Sequence, residues 1–199
     1  MNFLAHAFLS GENKSILVGN LIGDFIKGRQ ALGRFEAEVI RGVELHRAID
    51  EFTDNHPVVH ESKARLRPKY RHYSGVIVDV FYDHFLAGQW KEFHPRPLKD
   101  FASATYKTLT DFSAVLPLTF QQMLPYMIRG NWLVSYSKVE GIHRALSGMA
   151  SRTPFHSRME EATSDLQEHF RDFNDEFNAF FPTLRSFCDE WLTYGGTEV

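Results

Sequence analysis

The chain is poor in the features that mark several large protein classes. It has one cysteine, Cys188, among 199 residues, so no intramolecular disulfide can form, and a reducing, intracellular setting is the simpler reading. Cys188 sits in the apolar run Leu184-Arg185-Ser186-Phe187-Cys188 and reads as a small core hydrophobe. No apolar stretch approaches bilayer-spanning length. The start, Met1-Asn2-Phe3-Leu4-Ala5-His6, lacks the basic segment and small-residue cleavage site of a signal peptide. A cytoplasmic protein with no membrane partner is expected. The net charge of -3, from 22 basic and 25 acidic residues, excludes a wholesale nucleic-acid-binding composition. No Gly-x-x-x-x-Gly-Lys-Ser/Thr or Gly-x-Gly-x-x-Gly loop and no Gly-x-Ser-x-Gly elbow occurs, which argues against nucleotide folds and serine hydrolases of those kinds. β-alternation, repeats and low-complexity tracts are missing too.

What is present is helical periodicity and ample core material, with 43% hydrophobic residues and 18 Phe. Glu36 to Phe52 places Val39, Ile40, Val43, Ala48, Ile49 and Phe52 largely on one helical face. Ser74 to Trp90 offers Ile77, Val80, Phe81, Phe85 and Leu86 for packing. Asn2–Leu9 and Ser15–Ile26 are apolar segments, the second interrupted by Gly19, Gly23 and Asp24. Further helices are expected over Val58–Arg67 (cut by Pro68), Asp100–Val115, Pro117–Gly130, Trp132–Met149 and Ser157–Tyr194, the last kinked or split at Pro182. The expectation is one all-α domain over 1–199, a helical bundle.

Within these segments lie charged groups that are costly to bury alone. His46 and Asp50 are four apart, and so are Asp79 and Asp83, with His84 adjacent. Residues at this spacing share a helix face and can converge on one ion. Asp54 continues the first row, and His6 and Asp24 come from two other apolar segments. Helical bundles build metal sites in this way. Nitrogen and oxygen donors without sulfur favour Mn²⁺, Fe²⁺, Mg²⁺ or Zn²⁺, ions that polarise a phosphoryl oxygen and lower the pKa of water. Solvated acidic pairs on exposed helices are the competing reading. The apolar setting of Asp24, in Gly19-Asn20-Leu21-Ile22-Gly23-Asp24-Phe25-Ile26, favours a site.

Lys63, Arg65, Arg67, Lys69 and Arg71 alternate through one short segment, and Lys27, Arg29 and Arg34 form a looser group. On an acidic chain such clusters can attract an acidic protein, a phosphate group or RNA, the net charge arguing against the last. A solvated helix end competes with that reading.

Several ordered segments resemble the acyl carrier protein phosphodiesterase family. They are Met1 to His6, Gly19-Asn20-Leu21 with Asp24-Phe25, His46-Arg47-x-Ile49-Asp50-x-x-Thr53-Asp54-Asn55, Asp79-Val80 and Asp83-His84-Phe85-Leu86. Trp132-Leu133-Val134 with Tyr136, and Gly148-Met149-Ala150-Ser151-Arg152, complete the match, which spans nearly the whole chain. The resemblance implies an enzyme that hydrolyses the phosphodiester joining 4′-phosphopantetheine to a serine of holo-acyl carrier protein. It also implies a divalent cation, usually Mn²⁺, and an all-helical fold distantly related to the HD phosphohydrolases. The adjacent His-Asp doublet of those enzymes is reversed here as Asp83-His84.

The expected metal ligands are His6, Asp24, His46, Asp50 and Asp83. Asp24, His84 as proton donor, and Arg47 (with Arg152 as its alternative) are the expected catalytic groups. Lys63 to Arg71 is the expected docking surface for the acidic carrier protein. A nucleotide phosphohydrolase, or a non-catalytic module that binds an acidic partner, are the rival readings.

Overall fold

A computed structural model describes residues 1–195, apart from the side chain of Arg29, whose expected place in a basic group falls outside the described part. The chain order is α1 (Phe3–Phe8), α2 (Lys14–Ile22), α3 (Ala37–Asn55), α4 (Pro57–Tyr70), α5 (Ser74–Gly88) and α6 (Trp90–Phe93). It continues with α7 (Leu98–Asp111), α8 (Leu118–Arg129), α9 (Trp132–Ser135), α10 (Val139–Ala150), α11 (Ala162–Glu168) and α12 (Phe170–Tyr194). Short 3₁₀ turns link several of them, and no strand occurs among the described residues. The all-helical, single-domain expectation matches what is observed.

The α2–α3 pair organises the site end of the molecule and makes the most extensive helix contact in it. Asn13 starts α2 by accepting hydrogen bonds from the Ser15 and Ile16 N–H groups at 2.9 and 3.2 Å, a cap worth about 0.5–2 kcal/mol. Glycines set how closely the two helices cross. A Cβ on Gly19 would run into the Val39 carbonyl, and one on Gly42 into the Ile16 carbonyl. In the sequence Gly19 looks like an interruption of an apolar segment; in the fold it is a point of backbone contact. Past α2, a 3₁₀ turn over Gly23–Phe25 lays Asp24 back over α3. Gly23 is needed there because a Cβ would overlap the His46 ring.

Helix α5 is buried on nearly every face from Ile77 to Ala87. Helix α12 crosses α3, α4 and α5, with Phe173, Phe177, Phe180, Phe181 and Leu184 all fully buried. Each contributes roughly 1.5–3 kcal/mol by leaving water.

The helix ends expected at the prolines are corrected. Helix α4 runs through Pro68 to Tyr70, and α12 runs unbroken through Pro182. Both prolines are exposed, and so are Ala64 and Asn178, whose carbonyls they leave unbonded. On an exposed face water can bond such carbonyls, which removes much of the usual cost. The actual break in the C-terminal segment falls at His169, between α11 and α12, and the Trp132–Met149 segment is broken where Lys138 turns extended.

Candidate metal centre

Three side chains converge where α1, α2 and α3 meet. The ligand atoms of His6, His46 and Asp50 all lie within 4.8 Å of one another. Asp50 spans the pair, with Oδ1 3.4 Å from His6 Nε2 and Oδ2 3.2 Å from His46 Nε2. Asp24 Oδ1 lies 3.3 Å from His46 Nε2. The two imidazoles are buried, Asp50 is partly exposed and Asp24 is open to solvent, so the cluster has a dry floor and a wet rim.

Asn20 fixes both rings. Its side-chain Oδ1 lies 2.7 Å from His6 Nδ1, and its backbone carbonyl 2.7 Å from His46 Nδ1. The Asn20 amide nitrogen donates to the His6 carbonyl and to Ser10 Oγ at 2.9 and 3.0 Å, which leaves Oδ1 facing the ring. A carbonyl oxygen can only accept, so each Nδ1 must carry its proton and donate. Both Nε2 atoms thereby face carboxylate oxygens, and His6 Nε2 also lies 3.2 Å from the Met1 carbonyl. This outer support, which sets tautomer and orientation, is what a ligand histidine requires.

His46 Nε2 is buried and has no hydrogen-bond partner of good geometry, although two carboxylate oxygens lie within 3.3 Å. Donor atoms that crowd together without pointing at each other match a shared cation. The residues therefore fit a divalent metal by number, type and convergence.

The electrostatics reflect the excess of carboxylate around the two rings. Burial alone would lower the His46 pKa, yet the neighbouring Asp24 and Asp50 carboxylates raise it to about 9. Burial would raise Asp50, and the His46 and His6 imidazoles outweigh it and hold the carboxyl well below its ordinary range. Asp24 is lowered by its contact with His46. His6, buried and facing a charged His46, is lowered despite Asp50. The carboxylates thus hold a proton on His46, and a cation bound at the cluster would take that proton's place.

The other expected residues go elsewhere. Asp83 is fully buried and accepts hydrogen bonds from the Leu4 and Ala5 N–H groups at 2.7 and 3.1 Å. It satisfies the first turn of α1 rather than facing the cluster, and burial pushes its pKa up to about 7. His84 Nδ1 donates to the Tyr136 carbonyl at 2.7 Å, and its ring packs against Phe85 and Phe170. It anchors the turn after α9, and burial lowers its pKa. Asp79 lies 3.0 Å from the Met1 amine, which also sits 3.6 Å from Asp50. Asp54 is exposed and bonded to Lys63. Arg47 and Arg152 are exposed, with no ion pair among the described residues.

The basic segment is largely neutralised within the chain. Arg65 donates to both Glu176 oxygens at 2.7 and 2.8 Å and stacks over Phe173. Lys69 reaches Asp165 at 2.8 Å and Glu161 at 3.5 Å, and Lys63 holds Asp54 at 2.6 Å. These cations fasten α4 to α11 and α12 or to the end of α3. Only Arg67 and Arg71 of the expected five are exposed without an ion pair among the described residues.

The residue that sequence reasoning passed over is Asn20. Its signal was a carboxamide inside Val18-Gly19-Asn20-Leu21-Ile22, where a buried amide must find hydrogen bonds.

Fold and site together define an all-helical protein carrying a histidine–carboxylate cluster with the donors for a metal ion. The chain belongs to the acyl carrier protein phosphodiesterase family, whose sequence model matches residues 1–184. Similar proteins of that name include one from Photorhabdus laumondii, 33% identical over 185 residues and covering 92% of this chain and 93% of its own. Those of Klebsiella pneumoniae strain 342 and Yersinia pestis are 35% and 33% identical, each covering 92% of this chain and 95% of its own. No solved structure matches the chain, so the HD-like part of the fold expectation gains no support while the all-helical part stands. No helix among the described residues is long and apolar enough to cross a membrane.

Proposed function

We propose that this chain hydrolyses the phosphodiester between 4′-phosphopantetheine and the serine of holo-acyl carrier protein, releasing the apo-protein and 4′-phosphopantetheine. The observation that carries the reading is the convergence of His6, His46 and Asp50, with Asp24 at the rim, in a chain that matches this family over most of its length. Two imidazoles and carboxylate oxygens would hold Mn²⁺, with Mg²⁺, Fe²⁺ and Zn²⁺ as alternatives. Such an ion supplies Lewis-acid stabilisation of the phosphoryl oxygens and eases deprotonation of water.

The chain's own residues do the rest. His6, His46 and Asp50 form the binding face, and Asn20, by holding both Nδ1 atoms, keeps both Nε2 atoms turned to it once His46 has lost its proton. Asp24 is the exposed carboxylate of the group, so it is placed to orient the attacking water and take its proton. The departing serine oxygen needs a proton, and the Nδ1 proton of His84 is already given to the Tyr136 carbonyl. The bulk solvent at the open rim supplies that proton instead. Arg47 and Arg152 are exposed arginines available to the charge that builds on the phosphoryl oxygens.

The test is the intact mass of holo-acyl carrier protein after incubation with the protein, with Mn²⁺ or with chelator, alongside Asp24→Ala. The expected result is loss of the phosphopantetheine mass with Mn²⁺ and wild-type protein only. An unchanged mass with folded, Mn²⁺-supplied wild type overturns the reading.

A further inference from the structure

Two of the segments singled out in the sequence, Trp132 to Tyr136 and Gly148 to Arg152, take no part in the histidine–carboxylate cluster. Both line a groove of about 600 Å³ formed with α8, α9 and α10, within the ~300–1,000 Å³ range of small-molecule pockets. Its walls are mostly apolar, with Met123, Tyr126, Trp132 and Met149 among them. Phe3 lines this groove and also the small cleft that contains His6, Asn20, Asp24 and His46. The Phe3 ring packs 6.3 Å from Trp132 and 6.4 Å from Phe120, so one side chain forms the shared wall between cleft and groove. Arg144 and Arg152 also line the groove, and neither has an ion pair among the described residues. Their guanidinium N–H groups are free to donate.

We infer that this groove binds the pantetheine arm of the substrate, a flexible chain of alkyl spacers joined by amides, running from the cluster past Phe3 and over Trp132. The inference rests on the function proposed above. A phosphodiester held at the cluster leaves its arm at the Phe3 wall, where the groove begins. The arm's alkyl parts match the apolar walls, and its amide carbonyls need donors such as Arg144 and Arg152 provide. Two methionines allow the walls to adapt to a flexible chain.

Gly148 gives the means to test this. A Cβ added there meets no atom within 4 Å, whereas Gly141 of the same groove is packed against the Ser135 carbonyl. Gly148→Phe therefore fills the groove from a position with room for the change, and Arg152→Ala removes an exposed donor without filling anything. Folding of both variants is checked by thermal melting and by Mn²⁺ affinity, which should match wild type. Pantetheine itself is the probe, titrated against tryptophan fluorescence, with Trp132→Phe identifying the signal from the groove. Cleavage of holo-acyl carrier protein is followed in parallel.

The expected result is a Trp132-dependent fluorescence change in wild type, weakened at least tenfold in Gly148→Phe and less so in Arg152→Ala. KM for holo-carrier protein should rise by a similar factor in Gly148→Phe. The inference is overturned if wild type gives no Trp132-dependent change, or if Gly148→Phe binds pantetheine as wild type does. It is equally overturned if Gly148→Phe weakens apo-carrier protein binding with no effect of pantetheine, because the groove would then hold the protein body. If wild type cleaves no carrier protein, the proposed function fails, and the pantetheine titration still decides what the groove binds.

Discussion

The imidazoles of His6 and His46 lie face to face, their centroids 4.2 Å apart and their planes 20° from parallel. Two charged rings would repel strongly in that arrangement, so the stack is stable only while at most one is protonated. Burial lowers the pKa of His6 and the two carboxylates raise that of His46, which separates the two titrations. The stack also turns both Nε2 edges toward Asp50, and it is held from behind by Asn20.

Asn20→Ala should therefore damage the site without touching a ligand. Loss of an outer hydrogen-bond partner typically weakens metal binding 10–100-fold, and that range is expected for Mn²⁺ measured by titration calorimetry. Stability should also fall, by about 1–3 kcal/mol, because Ser10 Oγ and the His6 carbonyl lose a partner in a buried setting. An Mn²⁺ affinity within threefold of wild type would show that Asn20 only fills space.

The sequence made part of this centre readable and hid the rest for identifiable reasons. His46 and Asp50 were legible because four residues is one helical turn, whatever surrounds it. Asp24 and His6 were legible because a polar group in an apolar run needs a partner. That argument does not say which partner, and Asp83 illustrates the gap. A buried carboxylate can be satisfied by a metal or by the free N–H groups of a helix start, and only the placement of α1 against α5 decides between them. The internal partners of the basic segment were hidden for the same reason, since Glu176 and Asp165 are remote in sequence and their pairing with Arg65 and Lys69 depends on how α4 packs with α11 and α12. Pro68 was read as a helix end and Pro182 as a kink or split because a sequence does not show that both lie on exposed helix faces.

The α2–α3 crossing should be intolerant of a single methyl group. Gly42→Ala gains helix propensity, about 1 kcal/mol at most, but drives its Cβ into the Ile16 carbonyl. Overpacking of this kind typically costs about 1–3 kcal/mol, and here backbone rather than a side-chain tip must move. A net loss of stability is expected in urea unfolding, together with weaker Mn²⁺ binding, because the shift displaces His46 from the Asn20 carbonyl. A more stable Gly42→Ala protein would mean that the helices do not cross this closely.

Asp83 predicts a pH dependence with a definite sign. Its folded pKa, about 7, is raised above the ordinary 3.8 by burial, so between these values the folded state holds more protons than the unfolded one. Stability from this group therefore falls as pH rises from about 4 to about 7 and is level above that. The full span corresponds to at most roughly 4 kcal/mol, at about 1.4 kcal/mol per pH unit. Asp83→Asn cannot ionise, so its stability relative to wild type should improve steadily from pH 4 to pH 7. The difference between the two proteins isolates Asp83 from the opposite trends of Asp24 and Asp50, whose lowered pKa values stabilise the fold above their unfolded range. A difference that stays constant across that window would place Asp83 in the ordinary carboxylate range.

Arg65 separates a structural role from a docking role. Its guanidinium donates two hydrogen bonds to a nearly buried Glu176, which also accepts from Ser62. Removing it leaves Glu176 with one partner in a poorly solvated place. Breaking a fully buried pair costs about 3–5 kcal/mol; Arg65 keeps 23% side-chain exposure, so about 1–3 kcal/mol is expected for Arg65→Ala. Arg67 is exposed, and Arg67→Glu should change stability by less than about 0.5 kcal/mol. If the α4 segment only fastens helices together, neither variant alters KM for the carrier protein at low salt. If it also docks an acidic partner, Arg67→Glu raises KM at low ionic strength, and the effect fades as salt rises, since the screening length is about 8 Å at physiological strength. Because its guanidinium is already committed to Glu176, Arg65 should register in unfolding and not in KM, and the reverse pattern would return the docking role to α4.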